Sequence, residues 1–224
     1  MKNEKTGIVL TTVKILFLLG TLYFGITGVY LNITNTPTAW RSLGFYTIQS
    51  NLICIFACVF YIWHLFSKKK LDESLLALIQ GGVVMCIMLT FLVYHFLLSP
   101  AQSFDINTLE KSNAYVHYYL PLMILAYYLL FCKKGLMRYK TMWIWTLVPI
   151  AYCIFVFIYS AFGGRFGADG QVVPYFFLDY IKFGISGVAK WILLLTVGYL
   201  SLSAIFVCID KFSAFVYGKI GKRS

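Results

Sequence analysis

The chain has 224 residues, 60% of them hydrophobic and only 12% charged, with 19 Lys and Arg against 8 Asp and Glu. A water-soluble domain runs at about half apolar and about a quarter charged, so a soluble fold of this size would have too little polar surface to cover itself. The net charge of +11 would suit a nucleic-acid binder, but the cations cluster at the ends of apolar runs, where they act as topology signals beside anionic lipid; no nucleic-acid partner is expected.

Six apolar runs, 8–31, 45–66, 74–98, 113–132, 141–162 and 186–209, each meet the requirement of about 20 residues for about 30 Å of hydrocarbon. The expected fold is all-α: a polytopic membrane protein with a single transmembrane domain over residues 1–224, a bundle of six transmembrane helices with both termini cytoplasmic. The connections are short, so neighbouring helices run antiparallel. The first run, Ile8 to Leu31, exceeds the apolar region of about 7–15 residues in a cleavable signal and is expected to remain as a signal anchor.

Span two opens Phe45-Tyr46-Thr47-Ile48-Gln49-Ser50-Asn51. Helical spacing puts Thr47, Ser50, Asn51 and Cys54 on one face. Such a polar stripe in an apolar helix faces the bundle interior, and helix–helix hydrogen bonding is its ordinary role; a reactive site is the alternative. His64 and Trp63 close this span, an interfacial position. Near the end of span three His95 has Tyr94 and Thr90 close by. Span four opens Ser112-Asn113-Ala114-Tyr115-Val116-His117-Tyr118-Tyr119-Leu120-Pro121, with Asn113, His117 and Pro121 on one face.

The positive-inside rule fixes an orientation. One side collects Lys2, Lys5, Lys68–Lys70, Lys133, Lys134, Arg138, Lys140, Lys211, Lys219, Lys222 and Arg223; the other has Arg41, Lys111, Arg165 and Lys182. The first side is therefore cytoplasmic, and span two and span four both start at the outer face. The five Trp residues, Trp40, Trp63, Trp143, Trp145 and Trp191, fall near span ends, as in an interfacial aromatic belt. The six Cys residues lie in or beside spans without a CxxC pair; they read as small packing residues, and neither a metal site nor a cofactor is implied.

Thr47 and His117 enter from the same side, and at about 1.5 Å per residue their depths differ by about 3 Å. A hydroxyl and an imidazole at one depth can form a nucleophile–base pair. The longest loop, 163–185, begins Gly163-Gly164-Arg165-Phe166-Gly167 and continues Val173-Pro174-Tyr175-Phe176-Phe177-Leu178-Asp179-Tyr180. No phosphate-loop pattern is present. The apolar run from Pro174 to Tyr180 is too short to cross; it lies in the interface or dips over the bundle mouth, with Asp179 its one acid and Lys182 a nearby partner.

Three segments, Phe45–Asn51, Asn113–Pro121 and Val173–Asp179, resemble in order, spacing and membrane side the bacterial six-span proteins of the Pr-six-Pr group, distant relatives of the androgen-induced membrane proteins of animals. That animal family includes threonine hydrolases of fatty acid esters of hydroxy fatty acids. The resemblance implies a multi-pass protein of a bacterial inner membrane, with Thr47 in the place of the nucleophile and His117, four residues after Asn113, in that of the essential histidine. The proline follows the histidine by four residues here and by five in the animal pattern, and Pro174-Tyr175 is in swapped order.

The leading expectation is an integral membrane lipid-ester hydrolase with Thr47 as nucleophile and His117 as base near the outer leaflet. Gln49, Asn51 and Asn113 are candidate oxyanion donors, and Tyr94 and Asp179 further candidates for the substrate-binding surface. Its partners would be membrane lipids, with a fatty-acid ester as substrate. Two other classes stand beside it. A small-solute transporter would bury acids or bases near the midplane, whereas Asp105, Asp169, Asp179 and Glu110 fall in loops. A noncatalytic lipid- or partner-binding protein would use the polar stripes for packing alone.

Overall fold

The computed structural model describes residues 2–34, 39–100, 110–167 and 169–220; Asp105, Lys222 and Arg223 lie outside them. Six helices, each long and apolar enough to cross a membrane, follow one another: α1 (Lys2–Thr34), α2 (Tyr46–Phe66), α3 (Glu73–Leu98), α4 (Lys111–Phe131), α5 (Thr141–Ala161) and α6 (Tyr180–Ile220). Among the described residues the only strand-like pairing is an isolated bridge between Phe166 and Gln171. This is a multi-pass membrane architecture. Its outward face is apolar in a way that water would not tolerate: Phe162 is 89% exposed, Ile185 85% and Phe56 70%.

The helices begin where the local chemistry supplies partners for free N–H groups. Asp72 Oδ1 accepts from Ser74 N (2.9 Å) and Leu75 N (3.1 Å) at the start of α3. Asp179 Oδ1 does the same for Ile181 N and Lys182 N, both 3.0 Å, at the start of α6. Gly184 then breaks α6 with φ of +65°, a conformation that is costly for a residue with a Cβ. The regular helix therefore starts beyond it, close to the expected 186, but runs well past the expected end at 209.

α1 to α4 pack together, α5 packs on α3, and α6 on α5. Close approach of α1 to α4 depends on Gly28, where a Cβ would stand 2.8 Å from that of Tyr115. Small residues serve helix contacts in this way where lipid offers no hydrophobic drive. The core divides into two clusters. One contains Cys54, Cys58, Ile87, Leu120, Tyr128 and Val207. The other surrounds Tyr46, Tyr152, Val156, Phe166, Phe177 and Leu178, where the loop after α5 folds back over the bundle.

Two sequence expectations need correction. Trp145 is not part of an interfacial belt: it is buried, and its indole Nε1 donates to Leu78 O at 3.0 Å, joining α5 to α3. The list of loop acids also missed Asp210, one residue beyond the expected end of span six and completely buried in α6. Its carboxylate accepts from Tyr128 OH (2.5 Å), Gly135 N (2.9 Å) and Met137 N (2.9 Å). It thereby fastens the α4–α5 turn onto α6. Each hydrogen bond to a charged group is worth about 1.5–3 kcal/mol, and orphaned donors add their desolvation cost. Asp210→Ala is expected to lower stability by about 3 kcal/mol or more, and Asp210→Asn by less, read as the melting temperature of the detergent-solubilised protein.

Candidate functional site

The site is shaped first by two prolines. Proline has no N–H, and its ring clashes with the carbonyl four residues earlier. For Pro121 that carbonyl belongs to His117. The helix widens into a π turn over Tyr115–Tyr119, so Leu120 N–H reaches back to Tyr115 O. The next carbonyl, Val116 O, then faces Pro121, which has nothing to donate. α3 repeats the register: a π turn spans Tyr94–Leu98, Ser99 N donates to Tyr94 O at 2.7 Å, and His95 O faces Pro100. Pi turns of this kind are frequent at functional sites.

In hydrocarbon each unfilled carbonyl costs several kcal/mol, and side chains fill both. Ser99 Oγ donates to His95 O at 3.0 Å. Asn51 Nδ2, from α2, donates to Val116 O at 3.1 Å and to Thr47 O at 2.6 Å. One buried amide thus ties the Thr47 backbone to the residue before His117. Its Oδ1 is buried without a protein partner among the described residues.

Thr47 Oγ1 and His117 Nε2 meet at 3.3 Å. On the other side of the ring, His117 Nδ1 lies 3.1 Å from Asn113 O. A carbonyl can only accept, so Nδ1 carries the hydrogen. In the neutral ring this leaves the Nε2 lone pair toward Thr47, whose O–H donates to it. Tyr94 stacks on the imidazole at 3.7 Å between ring centroids and 17° between planes, which holds the ring in that orientation.

The surrounding hydroxyls are tied to backbone and to one another. Ser50 Oγ donates to Thr47 O at 3.0 Å and pairs with Thr90 Oγ1 at 2.7 Å. Thr47 stands in the first turn of α2, where backbone N–H groups have no intrahelical partner. Phe45, the residue before this helix, offers no side-chain cap. Tyr175 supplies one from the folded-back loop: its hydroxyl accepts from Thr47 N at 3.4 Å. Burial pushes the Tyr175 hydroxyl above the usual phenol value, so it stays protonated at neutral pH. Beside Thr47 and Tyr175 opens an apolar cavity of about 300 Å³ between α3, α5 and α6.

Of the residues singled out in the sequence, Thr47, His117, Asn51 and Tyr94 converge, and Asn113 joins through its backbone carbonyl. Gln49 and Asp179 do not. Gln49 Nε2 turns back to Leu43 O at 3.1 Å, and Asp179 is occupied as the α6 cap. The sequence reading missed Tyr175, although it lies in the apolar loop run noted there. It also missed the shared Tyr-x5-Pro spacing, Tyr94 to Pro100 and Tyr115 to Pro121, which was visible as a signal for paired π turns. Among the described residues no group of His, Cys, Asp and Glu is arranged to hold a metal ion. Neither a protein-family model, a curated protein nor a solved structure matches the chain.

The two amides give a paired test. Asn51→Ala leaves Val116 O unfilled and is expected to cost about 1–3 kcal/mol. Gln49→Ala, at a position bonded only to the Leu43 turn, is expected to stay within about 0.5 kcal/mol of wild type. Thermal unfolding of both variants in the same detergent measures the difference.

Proposed function

We propose that the protein is an intramembrane lipid-ester hydrolase in which Thr47 is the nucleophile and His117 the general base. The observation that carries this reading is the 3.3 Å contact between Thr47 Oγ1 and His117 Nε2 beside an apolar cavity. We further infer that the site lies toward the outer leaflet and that both termini are cytoplasmic. The supporting pattern is that Lys68–Lys70, Lys133, Lys134, Arg138, Lys140 and Lys211 all belong to the end of the bundle away from Thr47, as the positive-inside rule asks of a cytoplasmic side.

In the first step the Thr47 oxygen attacks the ester carbonyl carbon while its proton passes to His117 Nε2. The negative charge that develops on the carbonyl oxygen needs donors. Tyr175 O–H stands beside Thr47, and the helix dipole at the start of α2 favours negative charge there. The carbon–oxygen bond to the leaving alcohol then breaks, and His117 returns the proton to that oxygen. This leaves an acyl group on Thr47. Water attacks the acyl carbon, giving one proton to His117. The Thr47 oxygen leaves and takes the proton back, and the fatty acid is released. Asn51, Ser50 and Tyr94 act as positioning residues for the pair.

A carrier fits less well. The cavity lining contains no acidic or basic side chain, and the buried Asp210 already accepts three hydrogen bonds at the opposite end.

Purified protein in nanodiscs tests the reading with fatty-acid esters and a fluorophosphonate probe. Thr47→Ala is expected to abolish labelling, and both Thr47→Ala and His117→Ala to reduce hydrolysis by about 10²–10⁴-fold. Tyr175→Phe removes a donor and also uncaps Thr47 N, and is expected to lower kcat by about 10²-fold together with a stability loss of about 1–3 kcal/mol. Absence of ester hydrolysis by the wild-type protein, or labelling that persists in Thr47→Ala, would overturn the assignment.

A further inference from the structure

The cavity beside Thr47 has dimensions and walls that specify a ligand. Along α5 it is lined from Thr146 to Phe157, a distance of about 16 Å at 1.5 Å per residue. That length suits one extended hydrocarbon chain laid along α5, at about 1.2 Å per bond. Thr47, Tyr175 and Leu178 line it at the end where the loop covers the bundle, and Tyr199 and Thr146 lie at the far end.

The polar groups of the wall are turned away from the lumen. Thr146 Oγ1 donates to Met142 O at 2.8 Å and Tyr152 OH to Gly44 O at 3.0 Å. Tyr199 has a particular partner. Pro149 lacks the N–H that would have served Trp145 O four residues earlier, and Tyr199 OH donates to that carbonyl instead, at 3.3 Å. The bond anchors the aromatic ring as a floor, and the long wall presents carbon. The flank opens sideways through α5, where Ile150 and Ile154 line the cavity while remaining 41% and 54% exposed. A ligand dissolved in the surrounding apolar phase therefore has a lateral entrance.

We propose that the cavity binds one unbranched acyl chain of about thirteen carbons, the number that about 16 Å of extended chain holds at about 1.2 Å per bond, with its carbonyl at Thr47 and its methyl end against Tyr199 and Thr146. The placement of the carbonyl rests on the hydrolase reading; the chain-length limit rests on the cavity itself. The site is thus a molecular ruler, and residues along its wall set the length. Leu195 lines the cavity from α6, so a larger side chain there shortens it, while truncation of Tyr199 deepens it.

The test uses full-length Thr47→Ala protein, which does not turn over its ligand. It is equilibrated in detergent with an equimolar mixture of straight-chain fatty acids of even length from 8 to 18 carbons plus didecanoyl phosphatidylcholine. Bound lipids are then measured by mass spectrometry relative to the bulk micelle. The expected result is enrichment that peaks near 12–14 carbons and falls by about tenfold for chains several carbons longer. Leu195→Trp moves the peak to shorter chains and Tyr199→Ala to longer ones. Ile192→Phe replaces the first variant if that one fails to fold. A flat profile, a peak unmoved in folded variants, or preference for the two-chain phospholipid would overturn the proposal. Hydrolysis of esters by the wild-type protein is read in parallel. A peaked profile without hydrolysis supports the acyl site and counts only against the enzymatic reading; hydrolysis with a flat profile counts only against the acyl site.

Discussion

A backbone carbonyl deep in a helix bundle has no water to turn to, and the structure at the Thr47 end follows from that constraint. Pro121 and Pro100 each remove a donor from their own helix, and each helix answers with a π turn that shifts the vacancy to Val116 O and His95 O. A vacancy at that depth has to be filled from a side chain. At Val116 the filler is Asn51, on a different helix and bonded also to Thr47 O. The proline in α4 thus fixes where α2 must sit, and so brings the Thr47 hydroxyl to His117. The same rule operates at Pro149, where Tyr199 fills the carbonyl of Trp145 and becomes the end wall of the cavity.

The two ends of the bundle are held by different interactions. Near Thr47 the helices are joined by hydrogen bonds between small polar groups, such as Ser50 with Thr90, and by aromatic rings from the returning loop. Widened helical turns and a partly empty interior belong to this end. At the opposite end Asp210 collects two backbone amides and a tyrosine hydroxyl, while Lys134 Nζ donates to Tyr128 O and Cys132 O. The cavity that opens beside Thr47 reaches as far as Thr146 and Tyr199, and the Asp210 cluster holds the helices together beyond it.

The spans were legible in the sequence because twenty apolar residues in hydrocarbon leave few options but a helix. The depth match of Thr47 and His117 was legible for the same reason, since a fixed rise per residue converts position into depth. Face assignments were less secure. Thr47, Asn51 and His117 share an interior because polar side chains avoid lipid, but Gln49 in the same segment turns back to Leu43. Its spacing already sets it apart, since a residue two positions from Thr47 does not share its helix face; what was not legible was its capture by the 3-10 turn over Ala39–Gly44. Tyr175 was not legible as a partner of Thr47, since a loop folding back over a helix N-terminus leaves no periodic trace. Asp210 was lost to a boundary placed one residue short, where a run of hydropathy ended but the helix did not. Trp145 near a span end followed the statistics of interfacial tryptophan, yet its indole is committed to Leu78 O inside the bundle.

The way His117 is oriented also bears on chemistry in a membrane. In many soluble hydrolases a carboxylate stands behind the histidine and fixes its tautomer. Here Asn113 O takes that position, a neutral acceptor supplied by the same helix one turn away. An ionised acid at this depth would require its own partners to offset desolvation, and those partners would add polar groups beside an apolar chamber. A carbonyl sets the tautomer without adding charge, and the stacked Tyr94 ring adds rigidity by contact alone. What a carbonyl does not do is stabilise an imidazolium as strongly as a carboxylate would. In the proposed hydrolase, the charge pair formed when Thr47 gives up its proton would therefore depend on the groups around the oxygen, chiefly Tyr175 and the start of α2, which would make the loop that closes over the bundle part of the site as much as the two helices are.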